Sequence, residues 1–149
     1  MKKKILFIGL PVLLLVGLFA AKTILLAPPP KDEKKLAAEP GAVYTMATPF
    51  VVNLADGDST PHFAKVGVAL RFSKLSEGEI VPAKGEKPAE VEDDSELRDI
   101  VISTLQARTS GDLDSAEGRE RVKKLIIARV NKQTDLKITD VYYTEFAVQ

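Results

Sequence analysis

Phe63-Ala64-Lys65-Val66-Gly67-Val68-Ala69-Leu70-Arg71-Phe72 is the stretch whose reading decides the fold. Val66, Val68, Leu70 and Phe72 fall on one face of an extended chain. Lys65 and Arg71 fall on the other, with Gly67 and Ala69 between them. A period of two predicts a strand with one buried face and one wet or lightly covered face. Upstream, Tyr44 to Leu54 reads as another strand, placed at an edge by Pro49, which cannot donate to a ladder. Ala55-Asp56-Gly57-Asp58-Ser59 is a turn signal, so the two strands form a predicted hairpin.

Downstream, Ser73 to Asp93 is broken by Gly78, Pro82, Gly85 and Pro88 and reads as a long polar insertion. Glu92 to Gln106 is a predicted helix, with Leu97, Ile100, Val101, Thr104 and Leu105 on one face. Asp93, Asp94 and Ser95 are its capping candidates. Thr109 to Asp112 breaks it. A second helix is predicted from Ser115 to Asn131, capped by Ser115 or Asp114, with Val122, Leu125, Ile126 and Val130 as its buried stripe. Gly118 in its first turn permits close packing. The last strand lies within Leu136 to Gln149. Ile138, Tyr142, Phe146 and Val148 share one parity and Val141, Tyr143 and Ala147 the other, an apolar pattern on both faces that suits a central strand. Strand, strand, helix, helix, strand is an α+β order, with a small, mostly antiparallel sheet packed on helices.

The N-terminal part differs from this body. Lys2, Lys3 and Lys4 precede an apolar run from Ile5 to Ala27 that only Lys22 interrupts. At ~1.5 Å per residue that run predicts a transmembrane helix within residues 1–27. A cleaved signal peptide is the rival reading, but Phe19 and Leu25 stand where small residues are wanted before a cut. Lysine asymmetry predicts a single-pass inner-membrane protein, its N-terminus cytoplasmic and its body periplasmic. Gly17 and Ala21 make a small-x-x-x-small pair on that helix, against the plain alternative of lipid-facing small residues. Pro28-Pro29-Pro30 ends the helix, and residues 28–42 read as a Pro-rich, charged tether. Residues 43–149 remain for one domain.

Composition narrows the chemistry. The 149 residues include no cysteine and one histidine, and 21 basic residues balance 21 acidic ones. Thiol catalysis, thiolate zinc sites, disulfides and multi-histidine metal centres are excluded. Lys2, Lys3, Lys4 and Lys22 precede every acid, so the remainder holds 17 basic residues against 21 acidic ones. A mildly acidic body does not have a nucleic-acid footprint.

Five stretches together resemble the flagellar basal body-associated protein FliL family. They are Pro49 to Asp56; Ala69-Leu70-Arg71-Phe72; Leu97 to Ile102; Ser115 to Glu120; and Val141 to Gln149. The insertion at 73–93 departs from the family, and the turn Asn131 to Asp135 lacks an expected glycine. The resemblance implies a domain similar to the stomatin/prohibitin type that forms homo-oligomeric rings. It implies a partnership with stator proteins of the MotA/MotB type, association with the MS ring, and support of torque in swimming and swarming.

Individual residues carry mostly structural readings. His62 is expected on the surface, with a pH-sensitive interface group as the alternative. Asp56, Asp58, Asp112 and Asp114 lack the spacing of a calcium loop. Ser103 and Ser110 have no histidine partner nearby in sequence, and Ser115 is a helix cap. The run Gly118 to Lys124 is either the wet face of a helix, with Glu120 paired to Lys124, or a charged contact surface. Phe50, Val52, Tyr142, Tyr143 and Phe146 are expected in the sheet core. No catalytic, cofactor-binding or metal-ligating set is assigned, and the chain reads as a non-enzymatic motor accessory protein. The alternative is a structural or chaperone-like protein not tied to a stator.

Overall fold

Strand β3, Phe63–Ser73, organises the sheet. The computed structural model describes residues 32–57, 60–84 and 89–149, all within the unit Asp32–Gln149. The predicted inward face of β3 is fully buried at Val66, Val68, Leu70 and Phe72, and Lys65 on the other face is exposed, but Gly67, Ala69 and Ser73 on that face are buried as well, so it is wet only at its first residues. β1, Pro40–Thr45, and β2, Phe50–Asn53, both run antiparallel to β3, with β2 opposite its first residues and β1 opposite its last. β6, Ile138–Val148, runs antiparallel along residues 64–72. A strand has two edges, so β1 and β2 share one edge of β3 end to end and β6 takes the other. β3, not the last strand, is therefore central.

The single strand expected over Tyr44 to Leu54 is broken at its middle. Met46 N–H still reaches the Val68 carbonyl at 3.1 Å, but Pro49 has no donor to offer. The Arg98 guanidinium holds the break by donating to Thr48 Oγ1 at 2.9 Å and lying 4.5 Å from the Phe50 ring centroid. Part of the stretch expected as tether is also ordered, as helix α1, Glu33–Ala38, and the start of β1. Its partners come from a distant turn: Lys74 N–H donates to the Glu39 carbonyl at 2.8 Å and Leu75 N–H to that of Leu36 at 3.3 Å.

Two irregularities in the β3–β6 ladder change the faces of β6. Gly67 pairs with Glu145 but Val68 with Tyr143, and Arg71 pairs with Asp140 but Phe72 with Ile138. Thr144 and Thr139 are thus extra residues on β6, and each flips the parity that follows. Ile138, Val141, Tyr143, Phe146 and Val148 therefore share the core side, whereas Tyr142 and Ala147 lie across from Ala69 and Lys65 on the open face. The strand is not apolar on both faces. Gly67 permits the first bulge, because a Cβ there would stand 2.4 Å from Thr144 Oγ1.

The insertion is partly ordered, as a two-stranded ladder of β4, Ile80–Val81, and β5, Glu90–Val91. Helix α2, Asp94–Gln106, buries the predicted stripe from Leu97 to Leu105. A one-turn helix α3, Ser110–Asp114, occupies the expected break. Helix α4, Ala116–Gln133, packs along β6 and against α2. Its buried stripe is Gly118, Val122, Ile126 and Val130, and Leu125 is 39% exposed, contrary to expectation. Arg129 of α4 donates to Thr104 Oγ1 of α2 at 2.8 Å.

The turn before β6, where a glycine was expected, is held by side chains instead. Lys137 Nζ lies 3.1–3.2 Å from the carbonyls of Asn131, Thr134 and Leu136, a cation at the α4 C-terminus. The Asn131 amide brackets the next strand, accepting from Ile138 N–H at 2.7 Å and donating to the Ile138 carbonyl at 3.0 Å.

The α+β architecture with a small antiparallel sheet stands, but the membrane-helix part of the fold reading is corrected. Among the described residues no helix is long and apolar enough to cross a membrane. The longest, α4, carries Arg119, Arg121, Lys123, Lys124 and Arg129 beside its narrow stripe, a pattern that packs on a sheet. The expected span within 1–27, the Gly17–Ala21 pair and Pro28 to Pro30 lie outside the described residues. The single-pass inner-membrane placement, with a cytoplasmic N-terminus and a periplasmic body, rested on that span and loses its support with it.

Two tyrosines clamp the core edge. Burial, and then the hydroxyl's 2.7 Å bond to Asp94 Oδ1, push Tyr44 from 10.0 up to about 12. Burial, and then nearby Glu120, push Tyr143 up to about 12. A phenol whose pKa is raised on folding stabilises fully below its unfolded value, and that contribution is lost as pH climbs through the folded one. Stability should therefore fall between about pH 10 and pH 12, and the Tyr44→Phe/Tyr143→Phe double variant should fall less steeply in urea titrations across that window.

Candidate assembly surface

Two of the acids that drew attention in the sequence, Asp56 and Asp112, serve the fold. Asp56 ends the family stretch that begins at Pro49, and it caps α3 from across the chain. Its carboxylate accepts from Ser110 N–H at 2.8 Å and from Ser110 Oγ at 2.8 Å. Ala55 N–H donates to the Arg108 carbonyl beside it at 2.8 Å. Thr109 and Asp112 form a reciprocal capping box on the same helix. Ser115 Oγ accepts from Gly118 N–H at 3.0 Å and caps α4 as predicted. Ser103 donates to the Ile100 carbonyl of its own helix at 3.2 Å. His62 lends its carbonyl to Leu54 N–H at 2.9 Å. Asp58 lies outside the described residues.

These caps set an acid limit. Partial burial raises the Asp56 carboxyl, but the two Ser110 bonds outweigh it and hold it below its ordinary 3.8. Hydrogen bonds from Thr109 N–H and hydroxyl hold Asp112 below 3.8 as well. A depressed carboxyl stabilises above its unfolded pKa, and that contribution is lost as pH falls through the folded one. The drop in urea midpoint from about pH 5 to pH 2.5 should shrink in the Asp56→Asn/Asp112→Asn double variant.

The basic run Gly118 to Lys124 is largely engaged. Arg119 donates to the carbonyls of Leu113 at 2.9 Å and Asp114 at 2.8 Å, closing the end of α3. Its guanidinium lies 5.5 Å from the Phe146 ring centroid, and Lys123 Nζ lies 5.4 Å from that of Tyr143. Glu120 pairs with Lys123 at 2.6 Å rather than with Lys124. These contacts fasten α4 to β6. Arg121 and Lys124 remain exposed.

What the fold leaves open is one end of the sheet face opposite the helices. Val51 is 69% exposed there and Phe63 40%. With Lys65, Ala147 and Gln149 they line a shallow hollow of about 210 Å³. Lys65 and Glu145 form an ion pair on this face. Arg71 donates to Tyr142 Oη at 2.8 Å, and its guanidinium lies 5.4 Å from that ring's centroid. Among the described residues no group of three or more acids or histidines could hold a metal ion.

Residues 43–149, from the middle of β1 to the end of β6, match the family described as flagellar basal body-associated protein FliL. The chain belongs to the FliL family. Among its relatives is the flagellar protein FliL of Aquifex aeolicus (strain VF5), 30% identical over 120 residues, which cover 80% of this chain and 68% of that protein. Membership makes the chain a non-enzymatic flagellar accessory protein. The FliL-type stretches now have physical roles. Pro49 to Asp56 supplies the strand break, β2 and the cap on α3. Ser115 to Glu120 supplies the cap and close-packed first turn of α4.

Proposed function

We propose that this FliL-family chain is an accessory of the flagellar motor whose 43–149 domain self-associates around a stator unit of the MotA/MotB type. In that arrangement it stabilises the active stator and supports torque in swimming and swarming, with the MS ring as a further neighbour. What supports the reading is the allocation of residues in a family domain that spans most of the chain. Asp56, Asp112 and the Ser115 hydroxyl, which drew attention as chemical candidates, cap helices, while a patch of sheet with exposed Val51 and Phe63 is left for contact. The test is co-purification of the full chain from cells with and without stator subunits, followed by imaging of the complex. Co-elution that depends on the stator is the expected result. A chain that never associates with the stator, whether monomeric or assembled, sinks the reading, and the assembled case favours a structural protein independent of the motor.

A further inference from the structure

The backbone pattern of the sheet shows which edge groups are open. Phe63 and Gln149 exchange both hydrogen bonds, at 2.8 and 2.9 Å. Bonded and non-bonded pairs alternate along an antiparallel ladder. Lys65–Ala147 is then a bonded pair, and the N–H and C=O groups of Phe146 and Val148 point away from β3. On the other side, Met46 N–H bonds the Val68 carbonyl and Leu54 N–H that of His62. The same alternation makes Phe50–Val66 and Val52–Ala64 bonded pairs, so Val51 and Asn53 point outward.

Both outer edges are guarded in part. On β6, the Asp140 carboxylate accepts from the next N–H, Val141, at 2.8 Å. A charged side chain that caps an edge donor discourages an added strand. On the other side, Arg98 covers Thr48 and Ala55 is bonded to Arg108, which bounds β2 at both ends. Phe50-Val51-Val52-Asn53 and Phe146-Ala147-Val148 are uncharged stretches with outward groups, one on each edge and both at the same end of the sheet.

We propose that a second copy of this chain adds its β2 edge, in parallel, to the β6 edge of the first, with Val51 of the added copy opposite Ala147. This rests on the self-association reading and gives it a surface. In a parallel ladder, a residue with outward groups bonds the two residues that flank its opposite number. Val51 N–H would bond the Phe146 carbonyl, and Val148 N–H the Val51 carbonyl. Val51 and Ala147 both lie on the open face, so the sheet continues with its helices on one side. Antiparallel pairing would set Val51 against Phe146 or Val148, whose side chains face the core, and put the helices of successive copies on opposite sides. The joined edges are different, so the contact is head-to-tail and closes into a ring when the rotation per copy divides a full turn.

The chain contains no cysteine, so introduced thiols report without background. Full-length Val51→Cys and Ala147→Cys variants are oxidised separately and as a mixture. Sheet neighbours at Cα separations of ~5 Å suit a disulfide. The mixture should give at least ten times the cross-linked dimer of either variant alone, and the double variant a ladder of multimers. Val51→Pro removes an outward N–H while sparing the bonds to β3, and should sediment as monomer with an unchanged far-UV spectrum. Val51→Lys should do the same if proline disturbs the fold. Oligomers that persist in both variants without mixed cross-links would overturn this surface and leave self-association standing. Efficient cross-linking of Val51→Cys with itself would overturn the head-to-tail arrangement. An unmodified chain that stays monomeric overturns both this proposal and the self-association reading.

Discussion

Gly118→Ala is expected to cost about 3 kcal/mol or more, a large share of an ordinary domain's stability. A Cβ at this position would stand 1.7 Å from the Asp112 carbonyl oxygen and 2.7 Å from its carbon. Both atoms are backbone, so no rotamer change relieves the overlap. Moving Asp112 would break its capping box with Thr109 and shift the turn that carries Ser115 Oγ, itself 2.8 Å from the new methyl. The first turn of α4 would have to lift, loosening the Arg119 bonds that close α3. Gly111→Ala is the matched control: its nearest atom would be 3.9 Å away, so that variant should be neutral or gain up to about 1 kcal/mol. Urea unfolding followed by far-UV circular dichroism separates the two. A Gly118→Ala midpoint equal to that of the parent would refute the packing of α4 on α3.

Phe72→Ala is expected to cost about 3–5 kcal/mol. Phe72 is fully buried on the central strand, opposite Ile138 and edge-on to Tyr44 at 6.4 Å between ring centroids. Truncation leaves a void between β1, β3 and β6, where three backbones already fix the spacing. Phe72→Leu fills most of that volume and should lose about 1.5 kcal/mol or less. The comparison is a pair of thermal or urea melts, and equal losses for the two variants would mean that the site collapses around the smaller side chain.

How much of this was legible in the sequence depends on whether local pattern or distant partners set each element. β3 and the α2 stripe were legible because their alternation is uninterrupted. β6 was not, since Thr139 and Thr144 look like ordinary strand residues and only the pairing with β3 makes them bulges. Helix α1 and the start of β1 looked like tether because Lys31 to Ala42 has no periodicity, and their order comes from bonds to Lys74 and Leu75. Leu125 fits a helical stripe by spacing yet falls at its margin. The cap on α3 by Asp56 joins residues 54 positions apart, which no local reading of a turn acid reveals. The open edges were equally hidden, because they depend on which strand is central.

The pairing of β3 with β6 also fixes the order in which the chain can mature during synthesis. Leu70 meets Val141 across 71 positions, which a ribosome takes about 4–14 s to add. Until then β3 has partners on one side only. Its hydrophobic residues must be shielded by β1 and β2 along its other edge and by the early helices, or by a holding chaperone, before the last strand arrives.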